Sequence, residues 1–155
     1  MITNEAQKTY GKDNLVGKLV GFDKVLAGSY GGMTAPFLID RLRDGLEMEE
    51  LESLREMLGI PMDRLAQVLG IAKATLHRRK SEGKLKPDES DRVVRIARLV
   101  GRAVEVFKTL DYARIWILHP QPGLGGEIPL EFASTEVGAR EVELLMGRIE
   151  HGVVA

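Results

Sequence analysis

The stretch from Met62 to Lys80, Met-Asp-Arg-Leu-Ala-Gln-Val-Leu-Gly-Ile-Ala-Lys-Ala-Thr-Leu-His-Arg-Arg-Lys, constrains this chain more than any other. Leu65, Ala66 and Leu69 repeat at helical spacing on one apolar face, and Ile71 and Leu76 supply the face opposite. Ala66 is small where two helices must approach closely. Gly70 falls where the first helix has to stop and the backbone take a positive φ, which costs least without a Cβ. The spacing therefore predicts a helix-turn-helix, whose second helix enters the major groove of DNA. One residue departs from the pattern: Arg79 stands where such motifs carry an apolar residue. The competing reading is a generic helical hairpin with a solvated basic face.

Charge distribution supports the first reading. The net charge is only -1, which argues against a uniformly nucleic-acid-sticky surface. From Lys73 to Lys86 nearly every charge is positive, Glu82 excepted, while from Glu127 to Glu150 only Arg140 and Arg148 oppose an acidic excess. One end thus suits DNA and the other a different partner. With no cysteine, disulfides, thiolate metal sites and thiol nucleophiles are excluded. No apolar run approaches the roughly 20 residues of a membrane span, and the N-terminus shows no apolar signal region, so a cytoplasmic protein is expected.

Helical signatures dominate the rest, and an all-α fold follows. We divide it into an N-terminal arm (1–45) that is a possible dimerisation segment, a helix-turn-helix domain (46–110) and a small helical C-terminal domain (111–155). In the arm, Leu15 to Leu26 does not distinguish helix from strand, Ser29 to Gly32 is a break, and a short helix starts near Pro36. From Glu47 to Leu58 a helix carries Leu51, Leu54 and Leu58 on one face and Glu49, Glu50, Glu52, Arg55 and Glu56 on the other, closed by Gly59 and Pro61. A turn at Ser81 to Lys84 leads to Pro87 at the start of a long helix with Val93, Ile96, Ala97, Val100, Val104 and Phe107 inward. Arg92, Arg95, Arg98 and Arg102 lie elsewhere on that helix, solvated or facing phosphate. Trp116 to Leu118 is an apolar cluster, Gln121 to Gly126 a turn-rich loop, and Pro129 to Ala133 the start of a short helix. Ser134 or Thr135 caps a last helix with Val142, Leu145, Met146 and Ile149 inward, ended by Gly152.

No catalytic constellation emerges, so neither an enzyme nor a metal site is expected. His77, His119 and His151 are far apart and lack metal-ligand spacing, and Gly123 to Gly126 lacks the third glycine of a dinucleotide fingerprint. For DNA, the start of the second helix presents Lys73, Thr75, His77 and Arg78. Lys73 and Arg78 can reach guanine O6/N7 or phosphate, and Thr75 can donate to phosphate. Lys80, Lys84 and Lys86 suit phosphate neutralisation, and Arg79 is grouped with this cationic set. A single motif buries little DNA and specific binding usually needs two half-sites about 34 Å apart, so a dimer or a higher assembly is expected.

Ala72 to Arg79 and Leu85 to Arg92 together resemble the Xre-type antitoxins of RES–Xre toxin–antitoxin pairs, the MbcA/ParS family. The C-terminal run resembles that family's toxin-binding domain, through Trp116, Pro120, Leu124 to Gly126, Pro129 to Glu131, Thr135 to Val142, and Leu145 on to Gly152. An Arg-Arg pair at Arg78-Arg79 is typical of the family. The resemblance covers roughly residues 45 to 155.

It implies a DNA-binding repressor of its own operon that also binds and blocks a RES-domain, NAD-consuming toxin. The NAD chemistry would then belong to the partner, with no cofactor here. It further implies toxin contacts from Trp116, Leu124, Gly126, Glu131, Arg140, Arg148, Glu150 and the tail Val153, Val154 and Ala155, with the acidic last helix over the toxin's active-site cleft. The alternative is a stand-alone helix-turn-helix regulator whose C-terminal part dimerises or binds a ligand.

Overall fold

The computed structural model describes residues 15–20 and 34–153, and every regular element among them is a helix. In chain order these are α1 (Leu15–Val20), α2 (Ala35–Asp44), α3 (Met48–Leu58), α4 (Met62–Val68), α5 (Lys73–Glu82), α6 (Pro87–Phe107) and α7 (Leu110–Leu118). A 3-10 turn (Pro122–Leu124), α8 (Pro129–Phe132) and α9 (Glu136–Glu150) follow. The expected break at Ser29 to Gly32 and the last tail residues, Val154 and Ala155, lie outside the described residues.

The axis of the molecule is α6. Its 21 residues span about 31 Å at helical rise. It packs against α1, α2, α3, α7 and α9. The inward stripe read from the sequence holds at Val93, Ile96, Ala97 and Val100, but Val94, Leu99, Gly101 and Ala103 are buried as well. A helix covered on several sides has no wide solvent face, and single-stripe periodicity underestimates its burial.

Ends are set by local chemistry. Gly59 closes α3 with φ 67°, and Pro87 opens α6, where Glu89 accepts the Lys86 N–H at 2.8 Å. Thr135, not Ser134, caps α9, its hydroxyl accepting the Gly138 N–H at 3.0 Å. Gly45, at φ 88°, lies so close to the Leu85 carbonyl that any Cβ would collide with it. There the Leu85 N–H reaches the Leu46 carbonyl at 2.7 Å, and the Met48 N–H reaches the Gly83 carbonyl at 3.1 Å. These two bonds tie the start of α3 to the loop between α5 and α6.

Two parts of the sequence reading need correction. The stretch that resolved neither as helix nor strand contains α1, whose Leu15, Val16 and Leu19 are almost wholly buried. Glu50, expected on the polar face of α3, is only 5% exposed. Its two carboxylate oxygens accept the N–H groups of Leu15 and Val16, each at 2.9 Å. Those donors open the first turn of α1 and have no partner within their own helix. Glu50 thus caps a helix from a distance, and no helical wheel of α3 could reveal that.

Candidate nucleic-acid and partner-binding surfaces

The helix-turn-helix comprises α4 and α5. Leu65, Ala66, Val68 and Leu69 are buried on the first helix and Leu76 on the second. Gly70 turns the chain at φ 67°, and the Ile71 N–H closes the turn on the Ala66 carbonyl at 2.8 Å. Lys73, Ala74, His77, Arg78 and Lys80 are exposed on α5, and Thr75 is half-buried. No side chain caps the start of α5, and N–H groups at such an end suit a phosphate oxygen. A groove of about 520 Å³ between the two helices is lined by Asp63, Arg64, Gln67 and Lys73 among others. Lys84 stands apart, half-buried and paired with Asp44 at 3.1 Å.

Arg79 does not join that face. It is 7% exposed and turned inward beside Leu76, three residues earlier on the same side of α5. Its Nε donates to Glu89 Oε1 at 2.7 Å and its Nη1 to Glu82 Oε2 at 3.3 Å. Burial alone would push the Glu89 carboxyl up, but the Arg79 hydrogen bond, the Lys86 N–H and the Arg79 charge together hold it below its ordinary range. The Glu89 hydrogen bond in turn raises the Arg79 guanidinium further. The position needed an inward-facing group, and an arginine fills it because Glu89 supplies the counter-charge.

In the C-terminal part of the chain, α7 and α9 pack on α6, and α8 packs against α7 and α9. Trp116 is half-buried and packs on Phe107 with ring centroids 5.2 Å apart. Leu124 is core, at 8% exposure, which removes it from the outward set. Gly126 is exposed at φ 87°, Arg140 is exposed, Arg148 half-buried, and Val153 54% exposed.

The acidic excess of this end is largely consumed within the chain. Glu131 meets Arg64 of α4 at 2.9 Å, Glu136 meets Arg95 at 3.1 Å, and Glu150 pairs with Arg102. The Arg102 hydrogen bond lowers the Glu150 carboxyl, and Glu150 raises Arg102. Arg114 of α7 donates to the Met57 and Glu56 carbonyls at the end of α3. The arginines expected on a solvated face are therefore in good part the ties between the two ends. Their signal was spatial, not sequential: each acid lies tens of residues from its partner.

Sequence reasoning also passed over the exposed apolar side chains of this end. Tyr112 and Ile115 on α7 are 64% and 58% exposed, and Val137 and Leu144 on α9 are 73% and 52% exposed. The last two stand seven residues apart, hence on one face, opposite the buried Val142, Leu145 and Met146. The inward register of Val142, Leu145 and Met146 already places Val137 and Leu144 outward, whereas Ile149, expected inward with those three, is 36% exposed. Among the described residues, no group of three or more His, Cys, Asp or Glu could hold a metal, and no helix is long and apolar enough to cross a membrane.

Comparison with known proteins agrees with this geometry. Residues 37–98 match the antitoxin Xre-like helix-turn-helix domain, and residues 102–152 match the antitoxin Xre/MbcA/ParS C-terminal toxin-binding domain. The protein named Antitoxin Xre in Yersinia enterocolitica is 35% identical over 118 residues, covering 75% of this chain and 80% of the relative. The Antitoxin Xre of Photorhabdus laumondii is 34% identical over 124 residues, covering 79% and 84%. A more distant relative, the Prs ADP-ribosylating antitoxin of a Sphingobium species, is 23% identical over 130 residues, covering 76% and 82%. Two matched domains in the order of the two surfaces, and relatives at this identity over most of their length, show that the chain belongs to the Xre family of antitoxins, with a helix-turn-helix and a toxin-binding domain.

Proposed function

We propose that this antitoxin neutralises a RES-domain, NAD-consuming toxin by covering its active site with the 111–155 domain. We further propose that, as a homodimer in the cytoplasm, it represses its own operon through α5. The observation that carries the reading is the presence of two differently built surfaces on one chain. One is a cationic recognition helix. The other is an outward face of α9 with an apolar centre, Val137 and Leu144, among the charged Arg140, Glu141 and Arg148. An apolar centre with a charged rim is the usual anatomy of a protein–protein contact. With Glu131, Glu136 and Glu150 engaged internally, apolar burial is the main attraction in this reading. Net acidity drawn to a basic cleft is secondary.

The test is co-expression with the toxin encoded beside it, followed by pull-down and an assay of NAD⁺ consumption. Leu144→Glu should weaken toxin capture and restore NAD⁺ loss, while leaving promoter binding intact. Arg78→Ala should do the reverse. Deleting Val153 to Ala155 asks whether the tail contributes: full neutralisation by the truncated chain removes it from the mechanism. A chain that purifies as a promoter-binding dimer and captures no such toxin would instead be a stand-alone regulator.

A further inference from the structure

Arg92, expected on a solvated face or against phosphate, is tied instead to the turn that leads into α5. Its Nη1 donates to the Leu69 carbonyl at 2.6 Å, its Nη2 to Asp88 Oδ2 at 2.9 Å, and its Nε to the Asp88 carbonyl at 3.2 Å. All three guanidinium nitrogens are thus committed. Leu69 is the residue that closes α4, so the Arg92 charge sits at the negative end of that helix. Asp88 lies in the first turn of α6, the positive end. Gly70 lies beside the arrangement, and a Cβ there would stand 3.0 Å from Arg92 Nη1, so the guanidinium would have to shift by a few tenths of an ångström. The φ of 67° is the main demand for glycine at this position, because the guanidinium is the free end of a flexible side chain.

This places a bracket at each end of the recognition helix. Arg92 holds the turn that leads into α5, and the Arg79–Glu89 pair holds its last turns. Asp88, Glu89 and Arg92 all belong to the opening turns of α6. We infer that Arg92 is a positioning residue for sequence recognition: it fixes the angle at which α5 is offered to the major groove and makes no contact with DNA itself. The inference rests on the DNA-binding reading above. Base-edge contacts depend on aim to within a hydrogen bond, whereas phosphate contacts with long cations tolerate misorientation. Loosening the bracket should therefore cost specific binding far more than non-specific binding.

The experiment is fluorescence anisotropy of the full chain against a duplex from its own promoter and a scrambled duplex of the same length, over a salt series. Arg92→Lys keeps the charge but loses the fork that reaches both Leu69 and Asp88. Asp88→Asn leaves Arg92 in place and removes its carboxylate partner. Loss of one charge-assisted tie predicts a fall of roughly tenfold in promoter affinity for Arg92→Lys. Affinity for the scrambled duplex and the salt slope should not change, and Asp88→Asn should lower the promoter-to-scrambled ratio in the same direction.

A phosphate-contacting Arg92 gives the opposite pattern. Lysine would then preserve binding, and removing the Asp88 charge would strengthen binding to both duplexes. That result overturns the inference, as does a wild-type ratio retained by both variants. A wild-type chain with no promoter preference overturns the DNA-binding reading and the inference together. Circular dichroism at the assay temperature shows that each variant is folded, so a changed ratio reports aim and not collapse.

Discussion

A guanidinium inside a helix-turn-helix is tolerable only with its counter-charge alongside, and Arg79 and Glu89 meet at 2.7 Å for that reason. The pair carries a signed dependence on pH. The Glu89 carboxyl titrates below its usual value of 4.5 in the fold, so the native state binds fewer protons than the unfolded chain in that window. Its contribution is present in full above pH 4.5 and is lost as pH falls through the folded value. Glu50 has the opposite sign. Burial raises its carboxyl above 4.5 despite the Val16 and Leu15 N–H groups and Arg41, so acidification down to 4.5 favours the fold at that site. We predict that Glu89→Gln lowers the melting temperature at neutral pH, because Arg79 loses its partner. The same variant should show a shallower loss of stability below pH 4.5. Melting curves at pH 7 and at intervals below 4.5 decide it, and an acid limb as steep as the wild type's would refute the pairing as its cause.

Among elements, α9 depends most sharply on two residues at its start. Thr135 supplies a hydroxyl to the Gly138 N–H at 3.0 Å, and Thr135→Ala should cost about 1 kcal/mol by loss of the cap. Gly138 is different in kind. It is buried, its φ is not the reason for glycine, and a Cβ there would run into the Phe132 carbonyl of α8. Gly138→Ala must therefore push α8 and α9 apart. It should destabilise the protein more than the cap variant does and weaken toxin capture by moving Val137. Urea titrations of the two variants give the ranking, and equal midpoints would contradict it. The sequence pointed to a cap at this spot, but could not show that α8 folds back onto Gly138.

For the whole molecule, α6 carries the two working ends and ion pairs tie them together. Arg64 joins α4 to Glu131 of α8, and Arg95 and Arg102 of α6 hold Glu136 and Glu150 at the two ends of α9. These pairs are partly solvated, so each contributes modestly. A double-mutant cycle on Arg64 and Glu131 should yield a coupling of roughly 0.2–1 kcal/mol that shrinks with added salt. A coupling of zero at low salt would mean that the Arg64–Glu131 pair does not help to join the ends.

The sequence by itself determined the helical class, the helix-turn-helix with its Gly70 turn, the outward Lys73, His77, Arg78 and Lys80, and the separation of a basic stretch from an acidic one. Periodicity, glycine placement and charge order are local quantities, legible within a few turns of chain. Tertiary structure alone decided which charges are engaged within the chain. Arg79, Arg92 and Glu50 read as surface residues on their own helices, yet each is held by a group 10 to 35 residues away. The acidic C-terminal stretch, read as a lure for a partner, spends much of its charge on arginines of α4 and α6. A side chain's position on its own helix states which way it points, and only the packing of other helices states what it meets there.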